Sequence, residues 1–178
     1  MIRFSAICLI VVLSEPAFAF EFSNQECEFK VNFPFPVSVK KVVQPLGNGM
    51  YSNTYMAKTE NNRSLQVFSA NCDTSFKLAR SLTVAQMRKS AEWSMDQWSK
   101  MIGLKYTQMF WEQQGKYTTL RMVGQRTINA GKRQIKAAVQ ARMYLGRRSM
   151  MNVAVIERAS NSPSAAMERF LNTSVSLR

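Results

Sequence analysis

In GKRQIKAAVQARMYLGRRS, Gly131–Ser149, side-chain character alternates at nearly every step between Arg133 and Leu145. Ile135, Ala137, Val139, Ala141, Met143 and Leu145 point one way, and Gln134, Lys136, Ala138, Gln140, Arg142 and Tyr144 the other. A period of two is the signature of a strand with one face in a core. A one-residue slip would bury Lys136 and Arg142, so the register is strongly specified. The stretch carries six basic residues and no acidic one, and the whole interval between Glu112 and Glu157 holds nine Lys or Arg and no carboxylate. The expectation is a strand that buries its odd positions and shows a basic face.

Strand signals extend to both sides. Leu104 to Glu112, Tyr117 to Thr127 and Ser149 to Glu157 read as further strands, separated by Gln113-Gln114-Gly115, Asn129-Ala130-Gly131 and Gly146-Arg147. Upstream, Cys27 to Phe33 alternates and stops at Pro34 and Pro36, which offer no backbone N–H. Val37 to Val43, Met50 to Lys58 and Leu65 to Cys72 complete a first block of four. Between the blocks, Thr83-Val84-Ala85-Gln86 fits a capping box. Val84, Met87, Ala91, Met95, Trp98 and Ile102 recur at helical spacing, and Gly103 ends the run. Trp93 lies off that stripe. Ser162-Pro163 predicts an N-cap and first helical residue for a closing helix through about Asn172 that buries Met167, Phe170 and Leu171. Short connections predict a mainly antiparallel sheet. The expected class is α+β, with a long helix and a C-terminal helix packed on the sheet in strands-helix-strands-helix order.

The first twenty residues set the compartment. MIRFSAICLIVVLSEPAFAF has a positive Arg3, an apolar run from Phe4 to Leu13, and Ala17-Phe18-Ala19 as an A-x-A cleavage site. The run is too short to span a hydrocarbon core, which needs about 20 residues. The expectation is a cleaved signal peptide over residues 1–19, then a single domain over 20–178 with no transmembrane segment, in the periplasm or secreted. Removing Cys8 leaves Cys27 and Cys72, an even pair that predicts one disulfide in an oxidising compartment.

The opening strand CEFKVNFPFP, Cys27–Pro36, resembles the apolar strand followed by Phe-Pro that begins PsbP-like domains. MNVAVIERA, Met151–Ala159, with SPSAAMERFLNTSV, Ser162–Val175, is similar to their last strand and closing helix. The resemblance covers most of residues 27 to 175 as an order of elements. It implies an α+β fold and a binding or assembly role, as in the photosystem extrinsic subunit and a regulator of a nuclear-transport GTPase. It transfers no functional residue.

Residue types constrain the chemistry. There is no histidine, the commonest general base and a frequent metal ligand. Ser38-Val39-Lys40-Lys41 has the S-x-x-K spacing of an acylating pair, but in an extended segment its two side chains point to opposite faces. Glu26 and Glu28 share one side of a strand and read as solvated carboxylates. The 12 methionines lack the clustering of a soft-metal site and read as core filler. No cofactor, metal or catalytic residue is expected.

A net charge of +13 favours anionic partners. Arg121, Lys136, Arg142, Arg147 and Arg148 are the candidate contact residues. Their expected partner is an acidic protein or an anionic envelope component, whether lipid, lipopolysaccharide or cell-wall polymer. The signal peptide argues against nucleic acid, save in a DNA-contacting component of a secretion or uptake machine. An exported enzyme or effector without a recognisable motif is the other alternative.

Overall fold

A computed structural model describes residues 20–47, 50–61, 66–74, 83–115, 117–130, 133–159 and 164–177. The expected signal peptide lies outside the described residues, as do Ser162 and Pro163. The elements in chain order are β1 (Phe20–Ser23), β2 (Phe29–Phe33), β3 (Ser38–Gly47), β4 (Met50–Asn61), β5 (Gln66–Asp73), α1 (Val84–Met101), β6 (Lys105–Gln114), β7 (Tyr117–Ala130), β8 (Arg133–Leu145), β9 (Met150–Arg158), α2 (Ala165–Thr173) and β10 (Val175–Leu177). The fold is α+β and its strands pair antiparallel throughout.

Seven strands form the main sheet in the order β3-β4-β5-β9-β8-β7-β6. Each strand block is a meander, and the two meet at one seam between β5 and β9, where Phe68 pairs with Val155 and Cys72 with Met151. The helix expected between the blocks is α1. Thr83 Oγ1 accepts from the Gln86 N–H at 3.3 Å and the Thr83 N–H donates to Gln86 Oε1 at 2.8 Å, so the capping box forms. Gly103, at φ 65°, turns the chain out of the helix in a conformation that a side chain would oppose. Ala91 and Met95 are buried and Met87, Trp98 and Ile102 pack beside them, but Val84, the first residue of the helix, is exposed.

The sheet is covered on both faces, which the alternation in β8 does not anticipate. Val139, Ala141 and Met143 join Leu120, Met122 and Ala154 under α1. The opposite face is also a core: Tyr144, Met151, Val153, Phe68 and Ala57 pack against Met167, Phe170 and Leu171 of α2. Three short strands complete that layer as a second sheet, β1-β2-β10, with Phe29, Val31 and Phe33 of β2 facing inward. β1 and β10 are too short to show periodicity and were not expected. The Cys27–Cys72 disulfide, Cα–Cα 6.2 Å, ties the entrance of β2 to β5 and so fastens the small sheet to the large one. The N-cap of α2 is Ser164, whose Oγ accepts from the Met167 N–H at 3.1 Å, two residues later than the Ser-Pro signal suggested. No helix among the described residues is long and apolar enough to cross a membrane.

Candidate functional site at the basic end of the sheet

The five candidate cations do not share one surface. Arg142 is only 2% exposed and belongs to the interior, a correction to the expected basic face. Its Nη1 donates to the Leu171 carbonyl and to Asn172 Oδ1, each at 2.8 Å, and its Nη2 pairs with Glu112. The acceptors are at the C-terminal turn of α2, where unpaired helix carbonyls favour a cation. Tyr144 reinforces the contact by donating its hydroxyl to the same Leu171 carbonyl at 3.1 Å, and burial pushes its phenol pKa above the ordinary value. Alternation concealed this because the polar half of β8 faces a second layer contributed by a helix far along the chain.

Arg121 stands directly opposite Arg142 in the β7–β8 register. Its Nη2 donates to Gln140 Oε1 at 2.7 Å and lies 3.9 Å from Glu168, while the guanidinium sits over the Phe110 ring. It is a structural cation, half-buried at the same helix interface.

Arg147 and Arg148 are exposed in the β8–β9 turn, at the far end of β8 from Lys136. That turn is built around a carboxylate. Glu28 accepts from the backbone N–H of Arg148 at 2.6 Å and of Ser149 at 3.0 Å, and Ser149 Oγ accepts from the Glu28 N–H at 2.9 Å. Gly146 is required there: a Cβ would stand 2.1 Å from Glu28 Oε2 and 2.8 Å from the Ser149 carbonyl. Glu28 is therefore a turn-organising residue rather than a solvated one. Glu26 likewise accepts from Asn53 Nδ2 at 2.9 Å and from the Tyr55 hydroxyl at 3.0 Å. The concavity around Arg147 and Arg148 includes Glu28, so its charge is mixed.

Lys136 sits in a different setting. Six residues at about 3.4 Å each put roughly 20 Å between it and Arg142 along β8. Around it lies a concavity of about 600 Å³ lined by Gly103, Lys105, Gln125, Arg126, Thr127 and Lys136. Antiparallel register brings further cations to this end. Arg126, Ala137 and Arg158 form one row across β7, β8 and β9, about 10 Å from first to last, on the sheet face opposite that of Lys136, so the cations ring both faces of this end. Lys105, Arg133, Lys136 and Arg158 are exposed. None of the five cations makes an ion pair with a described residue. Arg126 Nε is shielded from solvent and donates to no acceptor among the described residues. The nearest carboxylate on these strands, Glu157, is occupied by the Ser164 N–H at 2.9 Å and Gln66 Nε2 at 3.0 Å.

Lys105, Arg126, Arg133 and Arg158 were not singled out from the sequence. The signal that could have found them is hairpin arithmetic, because pairing Ala130 with Arg133 places Arg126 beside Ala137. Ser38 and Lys41 lie in β3, an odd number of residues apart, and so face opposite sides of the sheet. No group of three or more His, Cys, Asp or Glu able to hold a metal occurs among the described residues. A scan of the chain against protein-family models finds no match, and a search of curated proteins finds none.

Proposed function

We propose that this protein is an exported, non-enzymatic binding module of the periplasm or cell exterior, which docks an anionic envelope surface through the basic end of its large sheet. The observation that carries the reading is the set of five cations without an ion-pair partner among the described residues, Lys105, Arg126, Arg133, Lys136 and Arg158. By contrast, Arg121 and Arg142 at the α2 interface have acceptors for their guanidinium Nη groups. Like charges gathered without compensation repel one another, and a phosphate-bearing surface removes that repulsion. The Cys27–Cys72 disulfide suits an oxidising compartment, and the signal-like N-terminus suits export. The resemblance to PsbP-like binding and assembly modules supports the same class of role.

The test uses a quadruple variant, Arg126→Gln, Arg133→Gln, Lys136→Gln and Arg158→Gln, with sedimentation on phosphatidylglycerol vesicles and on lipopolysaccharide. Each basic residue near an anionic surface contributes about 1 kcal/mol. Losing four should weaken capture by roughly a thousandfold, and binding of the wild type should fall steeply with salt. Capture undiminished in the variant would refute the assignment. A wild type that ignores both surfaces but cross-links to an acidic protein through this end would replace the envelope surface with a protein partner.

A further inference from the structure

α1 packs chiefly against β6, β7 and β8, and the margin of this packing on the β4–β5 side is a boundary lined by residues of β4, β5 and β9. Along this boundary runs a groove of about 410 Å³, within the usual range for small-ligand sites. Trp93, Trp98 and Met101 wall it from the helix, Met56 faces them from β4, and Asn71 and Asn152 line its floor. Trp93 is 63% exposed and Met101 76%. Trp93 lies off the stripe that packs the helix, so burial of the helix does not account for an indole here.

The floor supplies the second observation. Asn152 is only 8% exposed, and its Oδ1 is screened from solvent and accepts no hydrogen bond. Asn71 stands directly opposite it across the β5–β9 seam, on the same face. A buried acceptor without a donor is unfavourable, because it has given up water without gaining a bond. A ligand donor reaching the floor would supply that bond, and the terminal torsion of an Asn is broad enough to turn toward it. Thr54 and Asp73 add oxygen atoms to the lining, and no Lys or Arg is among the described lining residues. In a chain of net charge +13 this groove is therefore a poor anion site.

We propose that the groove binds a neutral saccharide. One face of a sugar ring stacks on the Trp93 indole, where a flat apolar surface meets C–H groups. Its hydroxyl or acetamido N–H groups then donate to Asn152 Oδ1 and to the neighbouring floor oxygens. This second site shares no lining residue with the basic end and does not depend on what that end binds.

The test is calorimetric titration of the disulfide-intact protein with the tetramers of N-acetylglucosamine and of glucose. The expected result is saturable binding of at least one tetramer. Trp93→Ala should weaken it at least tenfold without altering the melting curve, because the side chain is exposed. Asn152→Leu should weaken it similarly, whereas Asn152→Asp, which keeps an acceptor, should retain most of it. The quadruple basic-end variant should bind the tetramer like the wild type, which separates this site from the other. Absence of saturable binding by both tetramers at tens of millimolar would overturn the proposal, as would full affinity in Trp93→Ala. Preferential binding of tetramethylammonium would also overturn it, since the groove would then be a cation site.

Discussion

Arg142→Met removes the cation that joins α2 to the sheet while keeping an apolar stem of similar reach. In the wild type the guanidinium is 2% exposed, contacts Glu112, and donates twice at 2.8 Å to Leu171 and Asn172. Breaking a buried ion pair from one side costs about 3–5 kcal/mol, chiefly through the partner left behind. Glu112 is 24% exposed and regains some water, and Tyr144 still donates to the Leu171 carbonyl, so the lower figure applies. A loss of about 3 kcal/mol corresponds to roughly 6–12 °C in melting temperature at this chain length. Thermal and urea melts of the disulfide-intact protein measure it. Removing both charges in Arg142→Met/Glu112→Met should restore most of the loss, because no charge is then stranded. A surface cation replaced in the same way, Lys136→Met, should stay within about 0.5 kcal/mol. If Arg142→Met costs less than 1 kcal/mol, or the double variant is no better than the single, the internal role of Arg142 is wrong.

Two further outcomes follow from other contacts. Replacing Cys27 and Cys72 together by Ala opens a crosslink spanning 45 residues, worth about 4 kcal/mol on the chain-entropy estimate, and should lower the melting temperature by roughly 8–16 °C. Equal melting of oxidised and Ala-substituted protein would count against the tether. Tyr144, whose phenol burial holds above its ordinary pKa of 10.0, contributes stability that is present below that value and is lost as pH rises through the folded pKa. Tyr144→Phe should therefore flatten the alkaline limb of the stability curve, at a cost near neutrality of about 1 kcal/mol for the lost bond to Leu171. An unchanged alkaline limb would contradict the burial argument.

Local signals account for most of the architecture. Alternation in Arg133–Leu145, the Thr83–Gln86 box and Gly103 each act over a few residues, so they are legible in one dimension. The layer that covers the second face is not. It depends on Arg142 meeting Leu171 and Asn172, and on two strands of three and four residues whose pairing with β2 closes only in the fold. Polar residues on β8 could therefore be seen but not assigned to a helix interface. The candidate site divided in the same way. Excess positive charge was legible, but its location depends on register across three strands, which gathers Arg126 and Arg158 and removes Arg121 and Arg142. The saccharide groove was foreshadowed only by Trp93 standing off its stripe.

The seam between β5 and β9 has a consequence for how the chain matures. β5 ends at Asp73 and β9 begins at Met150, so the first meander emerges with an unpaired edge that waits for the last long strand. Until then Phe68, Ala70 and Cys72 have no cross-strand neighbours on that side, and such an edge is a template for unwanted pairing. The later meander, whose strands follow one another through tight connections, closes on itself sooner. Neither meander is a unit that can be cut out, because each supplies the missing border of the other. During synthesis or export in an N-to-C direction, the protein is most vulnerable in its first half and becomes safe only when β9 arrives. Truncations upstream of Met150 should therefore aggregate rather than yield a smaller folded domain.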